Sequence, residues 1–308
     1  MQDFIPLFLL NKIAWFWRIN PAARETTFVS GMNIITRIKD PRYFQIVVLG
    51  SLLGFGIVML DFGIHGYNAL AIMATAQIVQ WLGTKACGLP RFDPLSALIT
   101  SLSLTLLLRT EFATLAALAA VIAIGSKFLI RVNGKHVFNP ANFALVAMML
   151  VSDRVWVSGG QWGSAAIGAL ALACLGFLVL TRARRAETTV AFIAFYGLLV
   201  FGRALWLNDP ITIPLHQVQS GALLIFAFFM ISDPKTAPHA ALGRVLFAAL
   251  VASVAFCIQF IFYQPNGPIL ALIMCAPLVP LIDKFLHGNG YHWTQPSSVQ
   301  SQPYKGAL

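Results

Sequence analysis

Residues 138–151 read Phe138-Asn139-Pro140-Ala141-Asn142-Phe143-Ala144-Leu145-Val146-Ala147-Met148-Met149-Leu150-Val151. Residues 218–231 read Val218-Gln219-Ser220-Gly221-Ala222-Leu223-Leu224-Ile225-Phe226-Ala227-Phe228-Phe229-Met230-Ile231 and run into Asp233-Pro234. Each run is apolar enough for hydrocarbon, yet about 14 residues at 1.5 Å per residue reach only about 21 Å, short of a bilayer core of roughly 30 Å. Short, proline-bounded apolar segments in both halves of a chain point to discontinuous helices around a central site in an inverted-repeat membrane protein.

The composition agrees with that reading. Of 308 residues, 58% are hydrophobic and 10% are charged, against a charged fraction of roughly 25% in soluble domains. With a mean hydropathy of +0.77, a soluble fold is excluded. Apolar runs between charged or Gly/Pro-rich breaks give ten expected spans: 43–60, 67–83, 93–108, 112–130, 138–151, 162–180, 188–205, 218–231, 242–263 and 268–285. The fold class is therefore all-α and polytopic, with about ten transmembrane helices in two inverted five-helix repeats. The expected division is a cytoplasmic N-terminal segment over 1–42, repeats over 43–151 and 162–285, and a cytoplasmic tail over 286–308. The openings of the third and eighth spans, Asp93-Pro-Leu-Ser and Ser220-Gly-Ala-Leu, share a small, hydroxyl-bearing start.

Charge fixes the orientation. The net charge of +10 would suggest nucleic acid in a soluble protein; here the positive-inside rule accounts for it and no nucleic-acid partner is expected. All Lys and Arg except Arg109, Arg154 and Arg203 fall in alternate loops on one side, which places both termini in the cytoplasm of an inner-membrane protein. The N-terminus does not read as a secretory signal, since Asp3 stands where a basic region belongs and Lys12 interrupts Phe4–Leu10. Trp15-Phe16-Trp17-Arg18 reads as an interfacial segment.

Little conventional catalytic chemistry is visible. The eleven carboxylates lie in or beside expected loops, the six histidines are scattered, and Cys87, Cys174, Cys257 and Cys275 form no CxxC pair; no catalytic residue and no metal site are expected. Two segments remain. In Gly134–Phe143 the amides of Asn139 and Asn142 are costly in lipid unless bonded. One reading is helix capping by Asn139 with Pro140 at the first helical position; the other is a polar-ligand site, with Lys135 and the helix N-terminus favouring an anion. In Ser220–Pro238, the small residues Ser220 and Gly221, an aromatic middle of Phe226, Phe228 and Phe229, and the turn at Asp233 read either as tight packing followed by a turn or as a berth for a flat aromatic ligand. Lys135, Asn139, Asn142, Ser220, Gly221 and Asp233 are the expected cofactor-binding positions.

In this order the segments resemble the RnfD/NqrB family, membrane subunits of Rnf and sodium-translocating NADH:quinone oxidoreductase complexes. The matching residues are Phe138–Ala141, Ser220–Ala222, Phe228–Ala237, Gly243-Arg244 and Pro277–Asp283, and the likeness covers roughly 43–285. The resemblance implies a ten-helix fold with cytoplasmic termini and electron transfer through flavin or quinone, coupled in complete complexes to Na+ or H+ translocation. It implies other membrane or periplasmic redox proteins as partners alongside the bilayer. Full-length members carry FMN esterified to a Thr on a long loop after the fifth span. Here that loop, about Ser152 to Gln161, has no such Thr, so the expectation is a flavin, FMN or riboflavin, held without a covalent bond. Compact members lacking the loop also resemble RnfD-like proteins of enediyne biosynthesis clusters. The rival readings from other classes are a small-solute transporter or channel and a membrane anchor for redox partners.

Overall fold

The computed structural model describes residues 40–58, 63–132, 134–157 and 186–288, together with four positions between 168 and 174. The sixth expected span, 162–180, therefore lies mostly outside the described residues, as do the interfacial segment at 15–18, the N-terminal features and most of the tail. The chain divides into a unit of residues 1–41 with 294–308 and a unit of 42–293. Apart from Pro41 at the start of the first helix, the helices and ribbons belong to the second unit.

Helices form over α1 (Pro41–Val58), α2 (Gly66–Ala86), α3 (Pro94–Leu107), α4 (Ala113–Leu129) and α5 (Pro140–Val151). After the sixth expected span come α6 (Ala186–Leu207), α7 (Thr212–Val218), α8 (Gly221–Ile225), α9 (Ala241–Phe260), α10 (Gly267–Cys275) and α11 (Val279–Phe285). A π-helical turn, Phe226–Met230, continues α8, and a 3-10 turn, Ala276–Leu278, joins α10 to α11. Every expected span within the described residues thus has a helical counterpart. Among the described residues, α6, α9 and the run Gly267–Phe285 are long and apolar enough to cross a membrane. A fourth such span forms if α7 and the run 221–230, bent by 46°, are taken together. The helices α1, α3, α4 and α5 are apolar but shorter. The protein is an all-α, multi-pass membrane protein.

The bend corrects the expected eighth span. Helix starts at 221 rather than 218, and α7 precedes it as a separate piece that hydropathy alone does not mark. Gln219 and Ser220 interrupt the run between them, and Pro214 lies inside α7.

Packing repeats between the halves. In the first, α2 packs most extensively on α4, which also packs on α5; in the second, α6 packs most extensively on α9, which also packs on α10. The contacting faces are built from small residues at helical spacing, as close helix approach in lipid requires. Ala116, Ala119, Ala120 and Ala123 are buried on α4, which packs on α2, and Ala248, Ala252 and Ala255 are buried on α9, which packs on α6 and α10. Glycine is required at two of these approaches: a Cβ on Gly83 would run into the Phe128 ring, and one on Gly267 would sit 2.6 Å from the Ala255 carbonyl oxygen. The halves meet where α5 packs on α10. Asn266, just before α10, donates to the Met149 sulfur near the end of α5 at 3.8 Å, the arrangement of an antiparallel pair. An odd number of spans per half gives that sense.

Short ribbons close the ends of the first half. Arg131-Val132 pairs antiparallel with Lys135-His136, and Leu108-Arg109 with Trp156-Val157. Gly134, at φ +76°, makes the first of these turns, a conformation an L side chain rarely adopts.

Candidate functional site

The α5 N-terminus is the centre of the polar structure. Pro140 occupies the first helical position, and the Asn139 side-chain oxygen accepts from the Asn142 backbone N–H at 3.1 Å. The capping reading of Asn139 is therefore realised. The rest of its amide does more: Nδ2 donates to Asp233 Oδ2 at 3.2 Å and reaches the Met230 carbonyl at 3.5 Å. One side chain thus starts the broken helix of the first half and holds the end of the broken helix of the second.

Asp233 faces this joint from the turn after the π-helical segment. Its other oxygen accepts from the Lys235 N–H at 3.0 Å. Burial pushes its carboxyl above the usual carboxylate range, against that N–H, the charges of Lys127 and Lys235, and the Asn139 amide. Lys135 joins the same assembly through Asp283, at 2.8 Å, and the Ala237 carbonyl, at 2.7 Å. Asp283 also accepts from the His239 N–H at 2.7 Å. These bonds pin the loop 231–240 between the ribbon of the first half and α11.

Asn142 is almost fully buried, at 1% exposure. Its Nδ2 donates to the Ile269 carbonyl at 3.1 Å, across the α5–α10 crossing, while its Oδ1 is buried without a hydrogen-bond partner. Inside an apolar span such an acceptor is costly, on the order of 1–3 kcal/mol, and a partnerless buried group in a native fold asks for a reason.

Lys135, Asn139, Asn142 and Asp233 are thus brought together. Ser220 and Gly221 are not: they open α8, and the ten residues 221–230 separate them from Asp233 by roughly 15 Å of helix. Gly221 is buried there, and the Ser220 carbonyl accepts from the Leu224 N–H at 3.1 Å. The aromatic residues Phe226, Phe228 and Phe229 are buried in the π-helical turn. Its wider winding is visible in the Ile231 N–H bonding to the Phe226 carbonyl at 3.0 Å, and the Thr189 hydroxyl covers the Ala227 carbonyl at 2.8 Å. Such turns are frequent at functional sites.

Lys127 is not among the expected positions. It lies near the end of α4, is 4% exposed, and donates to the Ser96 carbonyl and hydroxyl at 3.2 and 3.1 Å. Asp93 and Asp233 both act on it electrostatically. Asp93 in turn caps α3 through the Ser96 N–H at 3.2 Å and is held by Arg42 at 2.8 Å. The signal present in the sequence is a lysine inside an apolar run rather than beyond it. Arg244 is a second case: 5% exposed, it donates to the His239 carbonyl at 2.7 Å and pairs with Glu187 at 3.4 Å. Nearby, burial with Arg131, Lys127 and Lys235 pulls the His136 imidazole down to about 4, so it is neutral at physiological pH.

Fold and joint together define a polytopic membrane protein whose two halves meet through two broken helices. Residues 152–291 match the family described as NQR2, RnfD, RnfE. Relatives named as the D subunit of the ion-translocating oxidoreductase complex come from Tolumonas auensis, 38% identical over 25% of this chain and 22% of that protein, and Erwinia tasmaniensis, 33% identical over 37% and 33%. Another, from Cronobacter sakazakii, is 31% identical over 51% and 44%. The chain matches less than half the length of each of these relatives. The similarity to RnfD-type proteins inferred from the two motif segments holds, and the matched region contains the α8 motif, Asp233 and Asp283.

Proposed function

We propose that this chain is the membrane subunit of an RnfD/NqrB-like electron-transport system and that it carries a flavin, without a covalent bond, beside the joint of α5 and α8. The observation that carries this reading is Asn142 Oδ1, a buried and partnerless acceptor at the α5–α10 crossing, one turn along α5 from the Asn139 that meets the end of the other broken helix. A flavin ring supplies an imide N–H that such an oxygen can accept. A quinone offers only carbonyl acceptors, so this atom favours flavin over quinone. The anionic-ligand reading of the α5 N-terminus has less support, because Asn139 already caps it and Lys135 is already paired with Asp283. A neutral riboflavin therefore fits better here than the phosphate of FMN.

When bound, the flavin supplies reversible one- and two-electron chemistry. The chain's own residues bind and orient it: Asn142 accepts the imide proton's hydrogen bond, and the apolar surround excludes water. Membrane or periplasmic redox proteins would be its partners, and coupling to ion movement follows from the relatives' names as an expectation for the assembled complex, with Na+ or H+ the ion that the family resemblance implies.

Asn142→Leu tests the site. Leu has the branched shape of Asn and removes both the partnerless oxygen and the Nδ2 donor to the Ile269 carbonyl; the first loss offsets the second, because that carbonyl stays within the α10 hydrogen-bond ladder, so the folded protein should keep its melting temperature within about 2 °C. Bound flavin per protein should fall at least fivefold. Unchanged flavin content in the folded variant would exclude Asn142 as a ligand.

A further inference from the structure

Asp233 carries the negative charge of the joint, and its support is uneven. The cations that act on it are Lys127 of α4 and Lys235 of its own turn. Its hydrogen bonds, however, come from neutral donors, the Asn139 amide at 3.2 Å and the Lys235 backbone N–H at 3.0 Å. Lys127 gives its own hydrogen bonds to Ser96. The charges farther out have closer partners: Arg42 pairs with Asp93, Lys135 and His239 with Asp283, and Arg131 lies over the Phe128 ring. The His136 imidazole is neutral at physiological pH. A carboxylate held by amides and by cations at a distance takes up a proton more readily than one in a close ion pair. Burial already holds Asp233 above the usual carboxylate range, while its partial exposure leaves it within reach of protons from water.

The same bonds tie this carboxyl to Asn142. Asn139 gives its Nδ2 to Asp233, and its Oδ1 accepts from the Asn142 N–H at 3.1 Å. Asp233 Oδ2 therefore lies within about 9 Å of the Asn142 nitrogen, two hydrogen bonds and one amide group away. A unit of negative charge placed roughly 10 Å from a carboxylate, at an effective dielectric constant of about 20, raises its proton affinity by roughly ten- to twentyfold. Two electrons delivered to a flavin by a reduced redox protein bring two negative charges, and where the ring takes up one proton, one charge stays in the site. A proton bound by Asp233 offsets it.

We propose that Asp233 is the redox-linked proton acceptor of this site, ionised while the flavin is oxidised and protonated from the surrounding water when the flavin is reduced. The proposal rests on the flavin reading above. The balance is two electrons and one proton to the ring and one proton to the Asp233 carboxylate, and none of these protons has to cross the membrane. Asn139 can donate to the carboxylate and to the carboxylic acid alike, so the joint stays closed in both states.

Infrared difference spectroscopy of the detergent-purified full chain, reduced and reoxidised at an electrode, reads the carboxyl directly. Reduction should bring up a carboxylic-acid C=O band that shifts in D2O. Its amplitude should pass through a maximum with pH, because Asp233 is protonated in both redox states well below that pH and in neither well above it. Asp233→Asn should remove the band while the visible flavin bands remain, and Asp233→Glu should keep it at a shifted position. If Asp233→Asn does not fold, Lys127→Met decides: with that cation gone Asp233 holds its proton more tightly in both states, so the maximum should move to higher pH by about one unit. A flavin-loaded protein without the band, or a band unchanged in the variant that folds, would overturn the proposal and leave the flavin reading standing. A protein without flavin bands would overturn both.

Discussion

Lys127→Met should lower the stability of the folded protein by about 2–3 kcal/mol, below the roughly 3–5 kcal/mol cost of breaking a fully buried ion pair, because Asp233 is only half-buried. Lys127 is buried and is held by both Ser96 oxygen acceptors. Its charge bears on Asp93, which Arg42 also neutralises, and on Asp233, which has neutral hydrogen-bond donors as its close partners. The loss should therefore run mainly through Asp233. Asp233→Asn, which keeps the side-chain shape, should then recover part of it: the double variant should be more stable than the sum of the two single effects predicts, by about 1 kcal/mol, as expected for coupled neighbours. Thermal unfolding followed by tryptophan fluorescence measures all three variants. Strict additivity would show that Lys127 and Asp233 do not communicate.

Asn139→Leu should cost about 2–3 kcal/mol. Losing an N-cap accounts for about 1 kcal/mol, and leaving a half-buried Asp233 oxygen without its donor for about 1–2 kcal/mol more. Asn139→Asp separates the two roles, since Asp is as good a cap as Asn but would set a carboxylate against Asp233 Oδ2, which the Asn139 amide approaches at 3.2 Å. If Asn139 were a cap and nothing else, Asn139→Asp would match the wild type. The expected result at neutral pH is a loss comparable to that of Asn139→Leu, shrinking as the pH falls and one carboxyl takes up a proton.

These two variants act where the sequence is partly readable. Asn139-Pro140 and Asp233-Pro234 announce broken helices because Asn and Pro act locally: a side-chain oxygen reaches an N–H three residues on, and a proline tolerates only the first turn. Such signals survive in a lone sequence. The pairing of Asn139 with Asp233 does not, since the two residues are 94 positions apart and are joined only when α5 of one half meets the turn after α8 of the other. For the same reason Ser220 and Gly221, close to Asp233 in the motif, belong to the opposite end of a helix in space. In the sequence Lys127 and Arg109 count as loop charges that set orientation, whereas both are buried. The hydropathy of a window averages over a single lysine and cannot tell a cation in water from one enclosed by Ser96. The polar residues of α2, including Asn68, Gln77 and Gln80, hold its hydropathy down although it is 21 residues long.

The joint also separates the rival functions. A transporter would need its polar contacts at the junction to open a path, and it would carry no chromophore; an anchor would need neither the buried Asn142 oxygen nor the π-helical turn. The flavin reading makes use of the first and has the second, with its buried aromatic side chains, end at Met230 against Asn139.

The most direct test is the visible absorption spectrum of the detergent-purified protein, repeated on supernatant and pellet after acid precipitation. Flavin bands in the native protein that pass into the supernatant are the predicted result, and they would establish a redox cofactor held without a covalent bond. Flavin retained in the pellet would contradict the non-covalent attachment, and a colourless protein would contradict electron transfer through this chain.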